Sequence, residues 1–503
     1  MNNNSSHLKC DCASCGNHIE FPSEAAGITI DCPHCSAQTL LRSEAPADDG
    51  GRLRSAVEII NAFQGALSPA RVSFLYQLGL TLVSLMMVLL PVIYLALVCL
   101  AAWGVYYFAT HFSFLVTSGG GLRLYLLKLM LYLGPLFAGV VLVLFMVKPI
   151  FARRPPQSQP LELNPALEPT LFAFIAKICD LVGAPMPKRI DLDCNLNASA
   201  SFRRGALSFL GNDLILTIGV PLAAGLSMPQ LAGVIGHEFG HFTQGFGMRV
   251  SYIIRSINFW FARVVYERDA MDVWLEETAA EAEDWRWAII VGFARLGVWF
   301  SRQILKLLMW IGHGVSAFLL RQMEYDADSY EIKLVGSQSF EETFRRMHVL
   351  GALLKPAYND MRVGWNNSRE LPDNFPALLM KYDASLSQEK RTQLEDTMGL
   401  KSAGIFDTHP SNGDRIRRAR QNPEPGVFHL DAPATALFNN FESIARQVSQ
   451  AHYSEDLGIP AMSAKLVSVH PEQPVPASVP NSTAQPLANA AVPISPGALR
   501  IRK

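Results

Sequence analysis

Two long uncharged runs constrain the fold of this chain more than any other feature of its sequence. No Asp, Glu, Lys or Arg occurs from Val72 to Leu122, and the run from Leu129 to Val147 is also uncharged. A hydrocarbon core about 30 Å thick is crossed by about 20 helical residues, so each run is long enough to span it. Charged residues make up 17% of the chain, whereas soluble proteins carry about 25%. We predict a transmembrane hairpin over residues 74–150; a buried pair of soluble helices is the alternative.

Basic residues flank this predicted hairpin on one side only. Lys and Arg mark the cytoplasmic ends of membrane helices. Those outside the hairpin are Arg52, Arg54, Arg71, Lys148, Arg153 and Arg154, against Arg123 and Lys128 in or beside the loop. The pattern predicts a multi-pass protein of the cell's inner membrane, with both termini and everything after residue 150 in the cytoplasm.

Residues 151–430 begin with a Pro-rich linker and read as one mixed, mostly helical domain. Two further apolar segments, Val250–Tyr266 and Trp287–Leu320, flank an acidic stretch. They are either a second membrane hairpin or interfacial and core helices, because arginines such as Arg255 and Arg263 interrupt them at helical spacing. The last residues are rich in Pro, Ala and Ser, which is typical of disorder. The predicted units are a zinc-ribbon-like module (1–42), a linker with a short amphipathic helix (43–73), the hairpin (74–150), the catalytic domain (151–430) and a linker with a disordered tail (431–503).

The segment from His237 to His241 reads His-Glu-Phe-Gly-His and carries the clearest chemical signal. Ser227 and Gln230 stand at the spacing of a capping box before it, which predicts a helix. Residues four apart share a helix face, so both imidazoles can bind one ion. Glu238 lies about 100° round the helix, where it can hold a metal-bound water without binding the metal. We predict a catalytic zinc on the two histidines, with Glu238 as the general base.

Two glycines interrupt this predicted helix. Gly236 and Gly240 each cost a helix about 1 kcal/mol relative to Ala, which makes sense if another element packs closely beside the ligands. A chance match on an ordinary core helix is the alternative reading of the motif.

A catalytic zinc needs a third protein ligand and an open fourth position. Downstream, Glu324, Asp328 and Glu331 share one helix face at spacings of four and three, and Asp326 points away. One carboxylate can bind the metal while another orients a ligand histidine. The spacing leaves open which does which, and a solvated acidic face is the alternative.

These motifs together resemble those of a known family. His237-Glu238-x-x-His241 followed by Glu324-x-x-x-Asp328 is similar to the HtpX-like and CaaX-prenyl-protease family of integral-membrane zinc metallopeptidases. The resemblance runs from about residue 161 to residue 420, over half of the chain. The N-terminal cysteine module and the tail lie outside the family's usual core.

Two more segments carry the resemblance. Asn197-Ala198-Ser199-Ala200 resembles the family's Asn-Ala-x-Ala edge strand, and His409-Pro410 followed by Arg415-Ile416 resembles its later His-Pro element. The resemblance implies that Glu324 is the third ligand and that Asp328 supports a zinc-bound histidine. It also implies that Asn197 and Ala198 belong to the strand bordering the active site, and that His409 lies near the oxyanion. The implied fold is mainly α with a small β-sheet: a zincin-like peptidase domain with transmembrane helices.

Five of the eight cysteines lie in the first 35 residues. Cys12-x-x-Cys15 and Cys32-x-x-Cys35 have the spacing of a closed structural zinc site, although Cys10 could replace Cys12. A redox-active dithiol is the less favoured reading. Thiolates kept for zinc indicate a reducing compartment, which agrees with a cytoplasmic N-terminus.

This module is more suited to protein partners than to nucleic acid. Only Lys9 and Arg42 are basic within residues 1–42, and the whole chain has a net charge of −1. We expect the ribbon to recruit a protein, with one structural zinc in addition to the catalytic one.

Three functional hypotheses follow. The first is an endopeptidase that cleaves membrane or membrane-proximal polypeptides in quality control or processing. The second is a catalytically silent membrane scaffold that presents the ribbon to partners. The third is a prenyl-type processing enzyme, which would need a larger helical chamber than two spans provide. Retention of Glu238 beside every predicted ligand favours the first.

Overall fold

A computed structural model of the chain comprises two compact units, Met1–Ser55 and Ala56–Lys503. The structure describes residues 7–11, 18–22, 29–35, 37–40, 56–68, 74–117, 121–151, 160–202, 213–243, 246–267, 273–274, 277, 285–398, 409–460 and 463–469.

The N-terminal unit contains two antiparallel hairpins. Strand β1 (His7–Asp11) pairs with β2 (His18–Pro22), and β3 (Thr29–Asp31) pairs with β4 (Gln38–Leu40).

The turn after β3 carries the second cysteine pair. Buried Cys32 donates its backbone N–H to the carbonyl of Ala37, and its sulfur accepts the N–H of His34 at 3.4 Å. Cys12 and Cys15 lie outside the described residues, so the four-thiolate zinc site stays a prediction.

Three helices in the described part of the chain are long and apolar enough to cross a membrane, and they cover Tyr76–Thr117, Leu122–Phe151 and Val291–Val335. The first two contain α2 (Phe74–His111), a short α3 (Phe114–Thr117) and α4 (Leu122–Val147). They confirm two apolar helices of spanning length in the predicted hairpin. The third belongs to a 51-residue helix, Trp285–Val335. This helix contains the apolar segment Trp287–Leu320, for which the sequence left two interpretations open.

Helix α8 (Phe246–Tyr266) is not one of these three. It nevertheless packs among them, because its residues Ile254 and Phe261 are fully buried in one apolar cluster with Leu80 and Leu305. The arginines of this segment therefore sit on a helix that also contributes apolar side chains to a buried cluster.

A four-stranded sheet forms the centre of the catalytic domain. Its strands are β5 (Leu161–Glu162), β6 (Arg189–Asp193), β7 (Ala198–Phe202) and β8 (Leu214–Gly219), in the order β5-β6-β8-β7. The parallel pair β6–β8 is buried, and β7 runs antiparallel to β8 at one end of the sheet. The predicted strand at residues 197–200 is thus found as an edge strand.

Helices surround this sheet and share its apolar core. Helices α1 (Ala56–Asn61) and α5 (Pro169–Val182) precede β8 in the chain. After β8 the chain forms α6 (Val220–Gly225), α7 (Met228–Gly240), α8, the long helix α9 (Trp285–Val335), α10 (Ser337–Ser368), α11 (Phe375–Ala384), α12 (Gln388–Thr397), α13 (Asn412–Gln421) and α14 (Phe441–Ala451). The expected class, mainly α with a small sheet, is confirmed.

The boundary at residue 430 is wrong, because the domain continues beyond it. Ile444, Ala445 and Val448 of α14 recur at helical spacing and are buried in the core. Further on, β10 (Lys465–Val467) pairs in parallel with β9 (Glu370–Pro372). Residues 470–503, where disorder was expected, lie outside the described residues.

The short helix predicted within residues 43–73 is found as α1, but this part of the segment packs into the catalytic domain and is not a linker. Ile59 of α1 is buried in the same core, and Phe63 packs against Phe428 with tilted rings whose centroids are 4.3 Å apart. This segment therefore begins the catalytic domain on the N-terminal side of the membrane hairpin.

Candidate metal centre

Helix α7 forms where the capping signal predicts it. Ser227 precedes its first residue, and the side chain of Gln230 accepts the N–H of Ser227 at 3.0 Å. The helix ends at Gly240, so His237 lies in its last turn and His241 immediately follows it. A capped start fixes the helix in register and so fixes the direction of both imidazoles.

Glycines allow α7 to pack closely against α9. Close packing beside the ligands was predicted from Gly236 and Gly240. A Cβ on Gly236 would lie 2.6 Å from Cδ2 of Leu334, and one on Gly240 would lie 3.2 Å from the backbone Cα of Ala327. Gly233, one turn earlier, faces α9 in the same way. The glycine face therefore brings the His-Glu-x-x-His helix against the helix that carries the acidic residues.

This packing brings three metal-binding side chains together. Nε2 of His237 lies 3.6 Å from one oxygen of Glu324, and Nε2 of His241 lies 3.7 Å from the other. One donor atom from each residue lies within 4.8 Å of the other two. Tetrahedral zinc bonds of about 2.1 Å place donors about 3.4 Å apart, so the donor set and its size fit zinc.

Asp328 lies on the other side of the His237 ring. Its carboxylate is 3.1 Å from Nδ1 of His237, and it accepts two hydrogen bonds from Arg415, one of them at 2.8 Å from Nε. Asp328 therefore faces the nitrogen that points away from Glu324. This is the arrangement in which a carboxylate orients a metal-bound histidine.

Glu331, the third carboxylate of this helix face, also lies beside His237. It is 3% exposed, and one of its oxygens lies 3.7 Å from Nδ1 of His237. The other oxygen has no hydrogen-bond partner among the described residues. The spacing left Glu331 open as one of three candidate carboxylates, and the rotation of α9 aims its side chain at the ligand histidine.

Glu238 is half-buried and stands apart from the three clustered donors. Its carboxylate accepts the backbone N–H of Ala200 on strand β7 at 3.2 Å. Burial raises the pKa of Glu238, and the nearby His237 and this N–H offset only part of the rise. A carboxyl group with a raised pKa is a stronger base than a surface glutamate.

The residues predicted on the edge strand have backbone roles in the sheet. The carbonyl of Asn197 accepts the N–H of Gly219 at 2.8 Å, and Ala198 pairs with Ile218. Gly219 is required here, because a Cβ would lie 1.7 Å from the carbonyl oxygen of Asn195.

The two ligand histidines differ in their electrostatics. Burial lowers the pKa of His241 well below its usual range, which favours the neutral, metal-binding form. Burial also works against a charged His237, but its hydrogen bonds to Asp328 and Glu324 outweigh it and raise its pKa to about 10. An ion bound at Nε2 would displace that proton.

Three basic residues complete the site from distant parts of the chain. Nδ1 of His409 lies 3.2 Å from Glu324, so the structure joins this predicted residue to the ligand cluster. Sequence reasoning gave no role to Arg415, which binds Asp328, or to Arg255, which donates to Glu324 at 2.6 Å. An arginine inside an apolar helix is the one signal that could have identified Arg255, because such a charge needs a partner.

The fold and the site thus describe a membrane-associated zinc metallopeptidase. Residues 165–422 match the model of peptidase family M48, which is half of the chain, and the protein belongs to that family. It is similar to the protease HtpX of Acinetobacter baylyi, with 22% identity over 257 residues that cover 50% of this chain and 71% of that protein. No solved structure matches the chain. These relationships make the protein an HtpX-like M48 zinc metallopeptidase.

Proposed function

We propose that this protein is a membrane-bound endopeptidase whose zinc is held by His237, His241 and Glu324. The observation that carries the proposal is the position of the Glu324 carboxylate, which meets Nε2 of both histidines at 3.6 and 3.7 Å. When bound, zinc supplies a Lewis acid that activates water and polarises the scissile carbonyl.

The chain's own residues would divide the remaining work. Glu238 accepts the proton of the attacking water and returns it to the leaving amine. The substrate would add as a further strand to the sheet edge along β7, beginning at Ala198 and the preceding Asn197. His409, which is 59% exposed beside Glu324, would donate to the oxyanion. Asp328 and Arg415 would orient His237.

The substrates we propose are membrane or membrane-proximal polypeptides, cleaved in protein quality control or processing. Phe318 of α9 is 70% exposed and lies six residues before Glu324 on the same helix. At about 1.5 Å per residue, the metal site is roughly 9 Å along the axis from a lipid-compatible surface. A polypeptide leaving the bilayer would therefore reach the site early.

The test uses detergent-purified full-length protein, with zinc analysis beside casein cleavage. Glu238→Gln should retain zinc and fold but lose at least about 100-fold in turnover, because it removes the base and spares the ligands. Glu389→Gln, an exposed position of α12, is a matched control that should change neither. Undiminished cleavage by Glu238→Gln would overturn the mechanism, and a zinc-loaded wild type that cleaves nothing would favour a silent scaffold.

A further inference from the structure

Arg255 is the closest charged neighbour of the proposed third zinc ligand. It projects from α8, and its Nη2 donates to Oε1 of Glu324 at 2.6 Å. Glu324 is buried, whereas the Arg255 side chain is 41% exposed. The guanidinium thus reaches from the rim of the site to a carboxylate inside it.

The two oxygens of Glu324 have different partners. Oε1 lies 3.7 Å from Nε2 of His241 and also accepts from Arg255. Oε2 lies 3.6 Å from Nε2 of His237 and 3.2 Å from Nδ1 of His409. Each oxygen therefore faces one ligand histidine and one further basic group. A metal ion binding through one oxygen competes with the basic group beside that oxygen for its lone pairs.

The two displaceable groups are not equivalent. An arginine is always charged, and its bond to a carboxylate is roughly twice as strong as a neutral hydrogen bond. His409 is mostly exposed and regains hydrogen bonds to water when it moves away. Oε1 is thus the oxygen that stays with arginine, and Oε2 is the one that becomes free.

Helix α8 is held in the register that this contact needs. Asn258, one turn after Arg255, is buried and donates to Ser316 of α9 at 2.9 Å. Ser316 in turn donates to the carbonyl of Gly312. These bonds join α8 to α9 about two turns before Glu324, so the arginine is positioned by the packing of both helices.

We propose that Arg255 is a positioning residue for the third ligand: it retains Oε1 of Glu324 and so presents Oε2 to the zinc. This inference rests on the proposed zinc site. It also assigns a function to an arginine that would otherwise interrupt an apolar segment. Displacement of His409 from Oε2 would free its imidazole for the role at the oxyanion proposed above.

The test measures zinc affinity by competition with a chromophoric chelator, and the d–d spectrum of the cobalt-substituted protein. Arg255→Ala should weaken zinc roughly 10–100-fold, the usual effect of losing a partner of a ligand, and should shift the cobalt spectrum. Arg255→Lys keeps a donor without the fork geometry and should recover part of the affinity. Arg263→Ala, two turns further along α8, removes the same charge and should leave both readouts unchanged.

A direct effect on zinc binding is distinguished from misfolding by measuring the circular dichroism and melting temperature of the metal-free proteins. Arg255→Ala with a normal metal-free fold and unchanged zinc affinity and spectrum would overturn the positioning role. Tighter zinc binding would also overturn it, because Arg255 would then compete with the metal. Failure of the underlying site is distinguished by Glu324→Ala: if that variant keeps the zinc of the histidine site, the proposed ligand set itself is wrong.

Discussion

Asp328 lies 3.1 Å from Nδ1 of His237, on the side of the ring opposite to the nitrogen that faces Glu324. The two carboxylates are one helical turn apart on α9, yet they address different nitrogens of one imidazole. This relationship separates a ligand from a ligand-orienting residue, which their spacing alone does not.

The first prediction concerns these carboxylates and Glu331. Glu324→Ala leaves two histidines at this site and should abolish its zinc binding at micromolar metal, so that the zinc content falls by one ion per chain. Asp328→Ala should weaken zinc by roughly 10–100-fold, because it removes the partner of a ligand. Zinc titration followed by elemental analysis measures both. Loss of zinc in Asp328→Ala with retention in Glu324→Ala would show that the roles are reversed.

Glu331 gives a second prediction, since its buried carboxylate lies 3.7 Å from Nδ1 of His237. Glu331→Gln keeps the shape and removes the potential charge, and we expect zinc affinity to fall by less than in Asp328→Ala. Glu331→Ala opens a cavity beside the ligand histidine and should also lower the melting temperature. Variants indistinguishable from wild type in both titration and melting would contradict any contribution of Glu331 to the site.

The third prediction tests the glycine face between α7 and α9. Gly240→Ala places a methyl group 3.2 Å from the Cα of Ala327, a backbone atom that cannot turn aside. We expect a loss of about 1–3 kcal/mol in unfolding free energy and weaker zinc binding, because the helices must separate. Gly351→Ala in α10 meets nothing within 4 Å and should stabilise by up to about 1 kcal/mol. Equal stability of the two variants in denaturant unfolding would contradict the close packing.

The fourth prediction addresses the cysteine module. With one zinc on the four cysteines and one on the histidine site, purified protein should contain about two zinc ions per chain. Deletion of residues 1–42 should remove one and leave casein cleavage intact. A truncated protein with the zinc content of the full chain would show that the cysteine pairs bind no zinc.

The fifth prediction is the orientation of the hairpin. The basic flanks favour a cytoplasmic position for residues after 150. A phosphatase or fluorescent reporter fused after Pro160 should therefore report the cytoplasm, and one inserted near Gly120 should report the opposite side. The reverse pair of signals would place the metal centre outside.

Features with partners close together along the chain were accessible from sequence. His237 and His241 share a face because they are four residues apart, and Ser227 caps the helix that carries them. The two uncharged runs have the length of membrane helices whatever surrounds them. The family resemblance then implied roles for Glu324, Asp328 and His409 that the spacing alone left open.

Only the tertiary structure selected among side chains that the periodicity treats alike. Glu324, Asp328 and Glu331 are equivalent by spacing. The rotation of α9 against the glycine face of α7 directs Glu324 at Nε2 of His237 and the other two at Nδ1, with Asp328 closer than Glu331. Arg255 reaches Glu324 across 69 residues, and the core recruits α14 from a segment that composition indicated to be a linker. Sequence patterns encode local periodicity, whereas the direction in which one helix face meets another depends on packing throughout the core.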